Sequence, residues 1–463
     1  MTTKKLTDYI KQSISVQGTK KEEQPKPAQA RIRFKKETEL QETPIGKIPK
    51  EWKVVKLSDV AEIRGNKSIN KVNKIAFIPM ELIPDSGVFV RYEIRDLDDV
   101  SSFTYCEAGD ILLAKITPSF ENGKQGIVPD DVPNRFALTT TEVYPIACKQ
   151  VNRLFLFYIL KHPKFRKILE HSMRGTTGRR RVPRDALENL EMPIPPLSEQ
   201  KVIAEILSTV DSAIDGVRGL VERAEKLKKG LMQELFTKGI GHKEYKETPI
   251  GRVPNEWLVY RLGQLAIEMY YGVTAKAVEH YTGTRFLRTT DIKDYKVEWD
   301  SLPYCEVTSN NKVNLSKYTL RKGDIIVSRA GTVGMSVYVD RDMPDTVFGS
   351  YLIKIRVNDK LIDPKFLHYY LQTEQYWIQI LASSKGSTLK NISLPTLKSL
   401  VIPVPTLEEQ KVIIEILSTV DRYVESIKMR LERLERVKKW LMDVLLTGKV
   451  RVIVEPSSGG SSG

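Results

Sequence analysis

Cysteine and histidine are scarce, with three Cys (Cys106, Cys148, Cys305) and five His in 463 residues. Cysteines so few and so spaced form neither a disulfide framework nor a zinc pattern, and no His-Glu-x-x-His pair occurs. No apolar run approaches the roughly 20 residues of a membrane span, and the N-terminus lacks the apolar core of a secretory signal. The expectation is a cytoplasmic protein without membrane contact. Phosphate-cradling loops are missing as well. No glycine stands five residues before any Gly-Lys pair, so there is no P-loop, and no glycine-rich cofactor loop follows a strand. The Asn-Pro-Pro-aromatic signature of amino-methyltransferases is absent. Asp110 and Lys115 bracket an apolar strand as a nuclease carboxylate and lysine would. Their spacing is wrong and no second acid accompanies them, so they read as structural. These absences leave no catalytic residues, no metal site and no cofactor in this chain, and they describe a molecule that positions others.

What is present begins with charge. Lys and Arg number 73 against 58 Asp and Glu, for a net charge of +15 and a pI near 9.4. That balance favours phosphate-bearing partners without identifying one. A composition 41% hydrophobic and 28% charged is ordinary for a soluble globular protein, and the length suits two or three domains.

The chain is internally repeated. Residues 199–211 read EQKVIAEILSTVD and residues 409–421 read EQKVIIEILSTVD, identical at 12 of 13 positions. A proline-rich stop precedes each, Pro193-Ile-Pro195-Pro196 and Pro403-Val-Pro405. Apolar residues then recur in steps of four and three at Ile203, Leu207, Val210, Ile214, Val217 and Val221. The second copy keeps the spacing at Ile413, Leu417, Val420, Val424, Ile427 and Leu431. This is a coiled-coil seam, and two matching seams in one chain can bury each other. Each pattern fades near Lys238 or Gly448, giving about 40 residues and roughly 60 Å of helix.

A second repeat leads into each half: ETPIGKIPKEWKVVKL at 42–57 and ETPIGRVPNEWLVYRL at 247–262, with Trp52 and Trp257 as core anchors. Mixed α/β domains lie between, with strands expected at 76–80, 110–115, 142–146, 285–288, 324–329 and 352–357. Helical segments are expected at 154–170 and 364–380. The organisation is therefore a mobile arm at 1–41 with a short helix at 6–16, a domain at 42–197 and a helix at 198–240. A second domain at 247–407 and helix at 408–448 follow, and SSGGSSG at 457–463 is a linker tail without function.

Polar, basic loops occupy matching places in both halves. Arg174, Thr176, Thr177, Arg179, Arg180, Arg181 and Arg184 precede the first proline stop, and Lys385, Ser387, Thr388, Lys390 and Asn391 precede the second. A further loop follows the Gly-Asp strand in each half, carrying Lys115, Thr117 and Asn122 in one and Ser328, Arg329 and Thr332 in the other. Glycine lets backbone approach a phosphate, hydroxyls donate to it, and Arg or Asn can read a base edge. Recurrence of such loops in both halves points to contact with double-stranded DNA.

With these features the chain resembles the DNA-specificity (S) subunits of type I restriction-modification systems, from Glu42 to Gly448. The residues that carry the likeness are the proline stops followed by Glu199-Gln200 and Glu409-Gln410, the helix-ending segment 441–448, and Gly323-Asp324-Ile-Ile-Val-Ser-Arg-Ala-Gly331. Gly109-Asp110-Ile-Leu-Leu-Ala-Lys115 is a looser version without the Arg-x-Gly ending. The resemblance implies an α+β fold: two mixed α/β target-recognition domains joined by two long antiparallel coiled-coil helices, as a pseudo-twofold internal repeat. It implies a non-catalytic reader whose domains each read half of a split, asymmetric DNA target, with the helices as ruler. The implied partners are two methyltransferase subunits, which methylate adenine N6 from S-adenosylmethionine, and restriction subunits using ATP and Mg. A DNA-binding scaffold or regulator without a methyltransferase is the alternative from another class, and a nuclease in its own right is a third. A neighbouring methyltransferase gene separates the first two, and metal-dependent cutting would establish the third.

Overall fold

The computed structural model describes residues 31–67, 69, 73–176, 178–306, 314–383 and 391–455. The expected helix at 6–16 and the tail lie outside them, whereas the end of the expected mobile arm is held in strands: Arg31–Lys36 pairs antiparallel with Val450–Glu455, and Leu40–Gln41 with Ile48–Pro49. Two units are formed, residues 31–221 with 427–455 and residues 222–426, each holding one domain and parts of both long helices.

The two units share one wiring. In the first, a four-stranded sheet has the spatial order Gln125–Ile127, Ile111–Ala114, Val143–Cys148, Ala61–Ile63. The second unit repeats it with Ser336–Tyr338, Ile325–Ser328, Leu352–Val357, Ala266–Tyr271. Beside it the first unit has a second sheet whose inner strands, Lys74–Ile78 and Phe136–Thr139, are parallel. Its counterpart pairs Arg285–Leu287 with Met343–Phe348, also parallel. The Gly-Asp turn that starts each central strand is fastened by its own side chain. Asp110 Oδ2 accepts from Glu107 N–H and Asp324 Oδ2 from Arg321 N–H, both at 2.8 Å. Arg64 also binds Asp110, while Lys354 and Arg356 neutralise the fully buried Asp324. Each aspartate is thus paired and hydrogen-bonded, as a buried charge requires, and it fastens its own turn.

The expected strands fall within one or two residues of those observed, but both helical segments are broken. Residues 154–170 form Arg153–Lys161 and Pro163–Ser172, and residues 364–380 form Pro364–Tyr370 and Glu374–Ala382. Pro163 cannot continue a helix and forces His162 into an extended conformation (φ −67°, ψ 132°). In the second unit Thr373 starts a new helix by accepting from Tyr376 N–H.

The long helices run Leu197–Thr237 and Leu407–Leu446. Their shared Glu-Gln opening closes each start. Gln200 donates to Pro195 O at 2.9 Å and accepts from Asn152 N–H at 2.8 Å; Gln410 donates to Pro405 O at 2.9 Å and accepts from Asp363 N–H at 2.7 Å. Glu199 and Glu409 accept the indole N–H of Trp52 and Trp257, both 1% exposed, at 3.2 and 3.0 Å. Arg451 grips Glu199 beyond the end of the second helix, and His242 bonds Glu409 beyond the end of the first. Gly448 and Gly239 make those close approaches possible at positive φ. A Cβ there would lie 2.3 Å from Pro49 Cδ and 2.7 Å from Glu409 Oε1.

The helices are antiparallel within each unit. In the first, Asp211 pairs with Lys438 at 2.5 Å and Arg218 with Glu435 at 3.1 Å. In the second, Lys228 pairs with Asp421 at 2.6 Å and Ile240 N–H donates to Glu409 at 2.8 Å. Numbers rise on one helix as they fall on the other, as antiparallel pairing requires. Of the seam, Ile203, Leu207, Ile214, Val217, Val221, Ile413, Leu417, Val420, Val424 and Ile427 are buried, and Val210 and Leu431 half-buried. Its first turns also enter the domain cores. Ile203 and Leu207 pack in one cluster with Trp52 and Leu445, and Ile413 and Leu417 in another with Trp257 and Phe236. Each such aliphatic side chain contributes roughly 1.5–3 kcal/mol by burial, so helix pairing and domain folding draw on the same residues.

Candidate nucleic-acid interface

In the first unit, strand Ile111–Ala114 delivers the chain to Lys115, and backbone bonds arrange what surrounds it. Lys115 N–H donates to Glu142 O at 3.0 Å, Val182 N–H to Lys115 O at 2.8 Å, and Thr117 N–H to Arg180 O at 2.9 Å. The loops at 115–122 and 174–184 therefore lie side by side. The second unit repeats the arrangement. Arg329 N–H donates to Tyr351 O and Ile392 N–H to Arg329 O, both at 2.9 Å, so the loop at 328–334 meets the segment at Asn391. Lys115 and Arg329 thus hold the same position, and each lies over a tyrosine. Lys115 Nζ is 4.9 Å from the Tyr144 ring centre and the Arg329 guanidinium 4.4 Å from that of Tyr271.

The basic side chains are not alike in what they touch. Arg181 forks onto Glu142 at 2.8 and 2.7 Å. That bond, first among its causes, holds the Glu142 carboxyl below the usual range, and burial lowers the Lys115 ammonium. Arg184 donates to Glu188 at 2.7 Å and to Ile63 O at 3.0 Å, and Arg174 lies 3.6 Å from Asp185. Thr117 donates to Glu121 at 2.7 Å, and Arg180 reaches the same oxygen at 3.4 Å. Arg174 and Arg181 exchange backbone bonds of 2.9 and 2.8 Å, and Thr176 O accepts from Arg179 N–H at 3.0 Å, closing a hairpin tip. Exposed at that tip, the Arg179 side chain has no partner among the described residues. Asn122 is exposed too.

In the second unit Ser328 is fully buried and donates to Ala330 O at 2.8 Å, shaping the loop from within. Thr332 Oγ1 lies 3.2 Å from both Ser328 Oγ and Thr289 O. Arg329 Nε donates to Asn391 Oδ1 at 3.1 Å, joining the two loops by their side chains. Thr177, Lys385, Ser387, Thr388 and Lys390 lie outside the described residues.

Sequence reasoning passed over Glu142, Tyr144, Tyr271 and Tyr351. Glu142 and Tyr351 directly precede Val143–Cys148 and Leu352–Val357, and that shared offset was the available signal. Among the described residues no helix is long and apolar enough to cross a membrane.

The family model of the type I restriction modification DNA specificity domain matches the chain twice, at residues 49–226 and 254–436. The MjaVIII type I restriction enzyme specificity subunit of Methanocaldococcus jannaschii is 29% identical over 448 residues, 91% of this chain and 98% of that protein. A second protein of that organism, named for the MjaX specificity subunit, is 30% identical over 441 residues, 91% of this chain and 99% of its own length. Among solved structures, one described by complex assembly and conformational transition of the type I R-M system is 21% identical. It covers 87% of this chain and 99% of its own, with a TM-score of 0.54. The S subunit of the M. genitalium type I system is 16% identical, covers 85% and 96%, and has a TM-score of 0.52, so the fold is shared as well. Two family matches on two units of one wiring establish that this chain belongs to the type I restriction-modification DNA specificity family.

Proposed function

We propose that this chain is the non-catalytic DNA-recognition subunit of a cytoplasmic type I restriction-modification complex. Each domain reads one half of a split, asymmetric duplex target, and the antiparallel helices set the spacer and dock two methyltransferase subunits. S-adenosylmethionine, ATP and Mg belong to those partners and to restriction subunits. The observation that supports this reading best is the recurrence of one loop pair, around Lys115 and around Arg329, at the same backbone register in both units. Two loops of one design whose side chains differ suit two half-sites of different sequence. The test is co-expression with the partner methyltransferase and mapping of N6-methyladenine. A split asymmetric motif that depends on this chain is expected. Methylation that ignores its presence would overturn the reading.

A further inference from the structure

The shared register of the two loop pairs singles out one position outside them. Glu142 and Tyr351 each offer their carbonyl to the basic residue that ends the central strand, Lys115 at 3.0 Å and Arg329 at 2.9 Å. The backbone thus presents residues 142 and 351 at equivalent places beside the candidate DNA-facing loops. Their chemistry is opposite. Glu142 is a half-buried carboxylate clamped by the Arg181 fork. Tyr351 is 64% exposed, next to the Arg329–Asn391 contact, where exposing so large a ring gains nothing for folding. The neighbouring Tyr271 differs: its hydroxyl accepts from Leu394 N–H at 2.9 Å and its ring carries Arg329, so it is a structural support.

We propose that residues 142 and 351 form one base-discriminating position in the two units, and that Tyr351 touches a base edge of the second half-site. A phenol has two means of doing so: its ring edge against the methyl group of thymine, or its hydroxyl donating to a purine acceptor in the major groove. At the equivalent place the first unit presents Arg181 held in plane by Glu142, a preformed fork for the O6 and N7 acceptors of guanine. One backbone frame thereby reads different bases in its two copies through exchange of a side chain outside the loops.

This rests on the DNA-reading function proposed above, and its test separates the two. The full chain, assembled with its methyltransferase subunits, is assayed on a randomised duplex library by sequencing the methylated motif. Tyr351→Ala is expected to lower the preference at one position of the second half-site by about tenfold, the scale of a lost base contact, with the first half-site unchanged. Tyr351→Phe tells the two contacts apart: retained preference assigns the ring, and loss equal to that of Ala assigns the hydroxyl. The intact first half-site reports that the variants are folded. Undiminished preference at every second-half position in Tyr351→Ala, or a weakening that falls equally on all sequences, would overturn the proposal while leaving the recognition function standing. Absence of any motif with the unaltered chain would instead overturn that function.

Discussion

Arg181 and Arg179 stand two residues apart on one hairpin and are differently committed. Arg181 is held by Glu142 at 2.7 Å, whereas Arg179 is exposed with no side-chain partner among the described residues. A free guanidinium contributes to phosphate binding mainly by releasing counterions, which makes affinity depend on salt. Arg179→Ala is therefore expected to weaken DNA binding by the assembled complex about equally for all sequences and to reduce the salt slope by about one. Arg181→Ala is expected to cost more, because it also frees the Glu142 carboxylate at the loops proposed to face DNA. Titrations at several salt concentrations measure both, and equal losses would show that the clamp does not matter. His368 offers a residue-scale test of stability. Packed beside Ser336, Tyr338 and Tyr369, it has its pKa pushed down to about 3, chiefly by burial. In the unfolded chain it takes up a proton near pH 6.5. The stability it supports is thus full above pH 6.5 and is lost as pH falls from there toward 3, by about 2 kcal/mol at pH 5. Denaturation at pH 7.5 and 5 should show a smaller loss for His368→Gln than for the original chain; an equal loss would refute this.

Each unit fastens its pair of long helices with a three-residue lock. Tyr158 donates to Asp211 at 2.8 Å and Lys438 pairs with the same carboxylate, while Tyr369 donates to Asp421 at 2.7 Å and Lys228 completes that set. Both lysines also stand 6.0 Å from the ring of their tyrosine. Removing one partner of a buried ion pair strands the other, at roughly 3–5 kcal/mol. The first lock is the drier, with Asp211 4% exposed against 32% for Asp421. Asp211→Ala is thus expected to destabilise by about 3 kcal/mol and Asp421→Ala by clearly less, as chemical denaturation would report; the reverse order would count against burial as the cause. Much of this element was legible in the sequence, because the helices, their proline stops and their seams are local, periodic features. The locks were not. Asp211 and Lys228 could be seen to recur as Asp421 and Lys438, but only antiparallel pairing shows that each aspartate meets the other helix's lysine. Tyr158 sits in the apolar run Leu-Phe-Leu-Phe-Tyr-Ile-Leu and reads as core, and Glu142 and Tyr351 are marked only by their shared place directly before a strand. Contacts set by topology leave no mark on spacing along the chain.

Because each lock uses residues from both repeats, one repeat contains everything a symmetric pair would need. Residues 42–246 hold Tyr158, Asp211 and Lys228, as well as Trp52, Glu199 and the His242 that serves Glu409 in the intact chain. Two copies are expected to pair as a twofold dimer, with Lys228 of each on Asp211 of the other, and to direct methylation to a palindrome of the first half-site. Sedimentation of the fragment checks this, and a monomer with its helix folded would refute it. The same locks constrain how the ruler between half-sites can be altered. Asp211 and Lys228 are 17 residues apart on the first helix, and Asp421 and Lys438 are 17 apart on the second. Insertion into one helix alone would misalign one lock. Four residues added after Gly219 are therefore expected to require four more on the second helix, between Asp421 and Lys438. The doubled insertion lengthens the pair by roughly 6 Å and turns each helix about 40° beyond a full turn, so the seam nearly keeps its phase. DNA rises about 3.4 Å and turns about 36° per base pair. The match in angle favours a methylated motif whose unread spacer grows by one base pair while both half-sites stay the same. The single insertion should instead be less stable, by an amount comparable to Asp211→Ala or Asp421→Ala. An active doubled variant that retains the original spacer would mean that the distance between half-sites is set by something other than these helices.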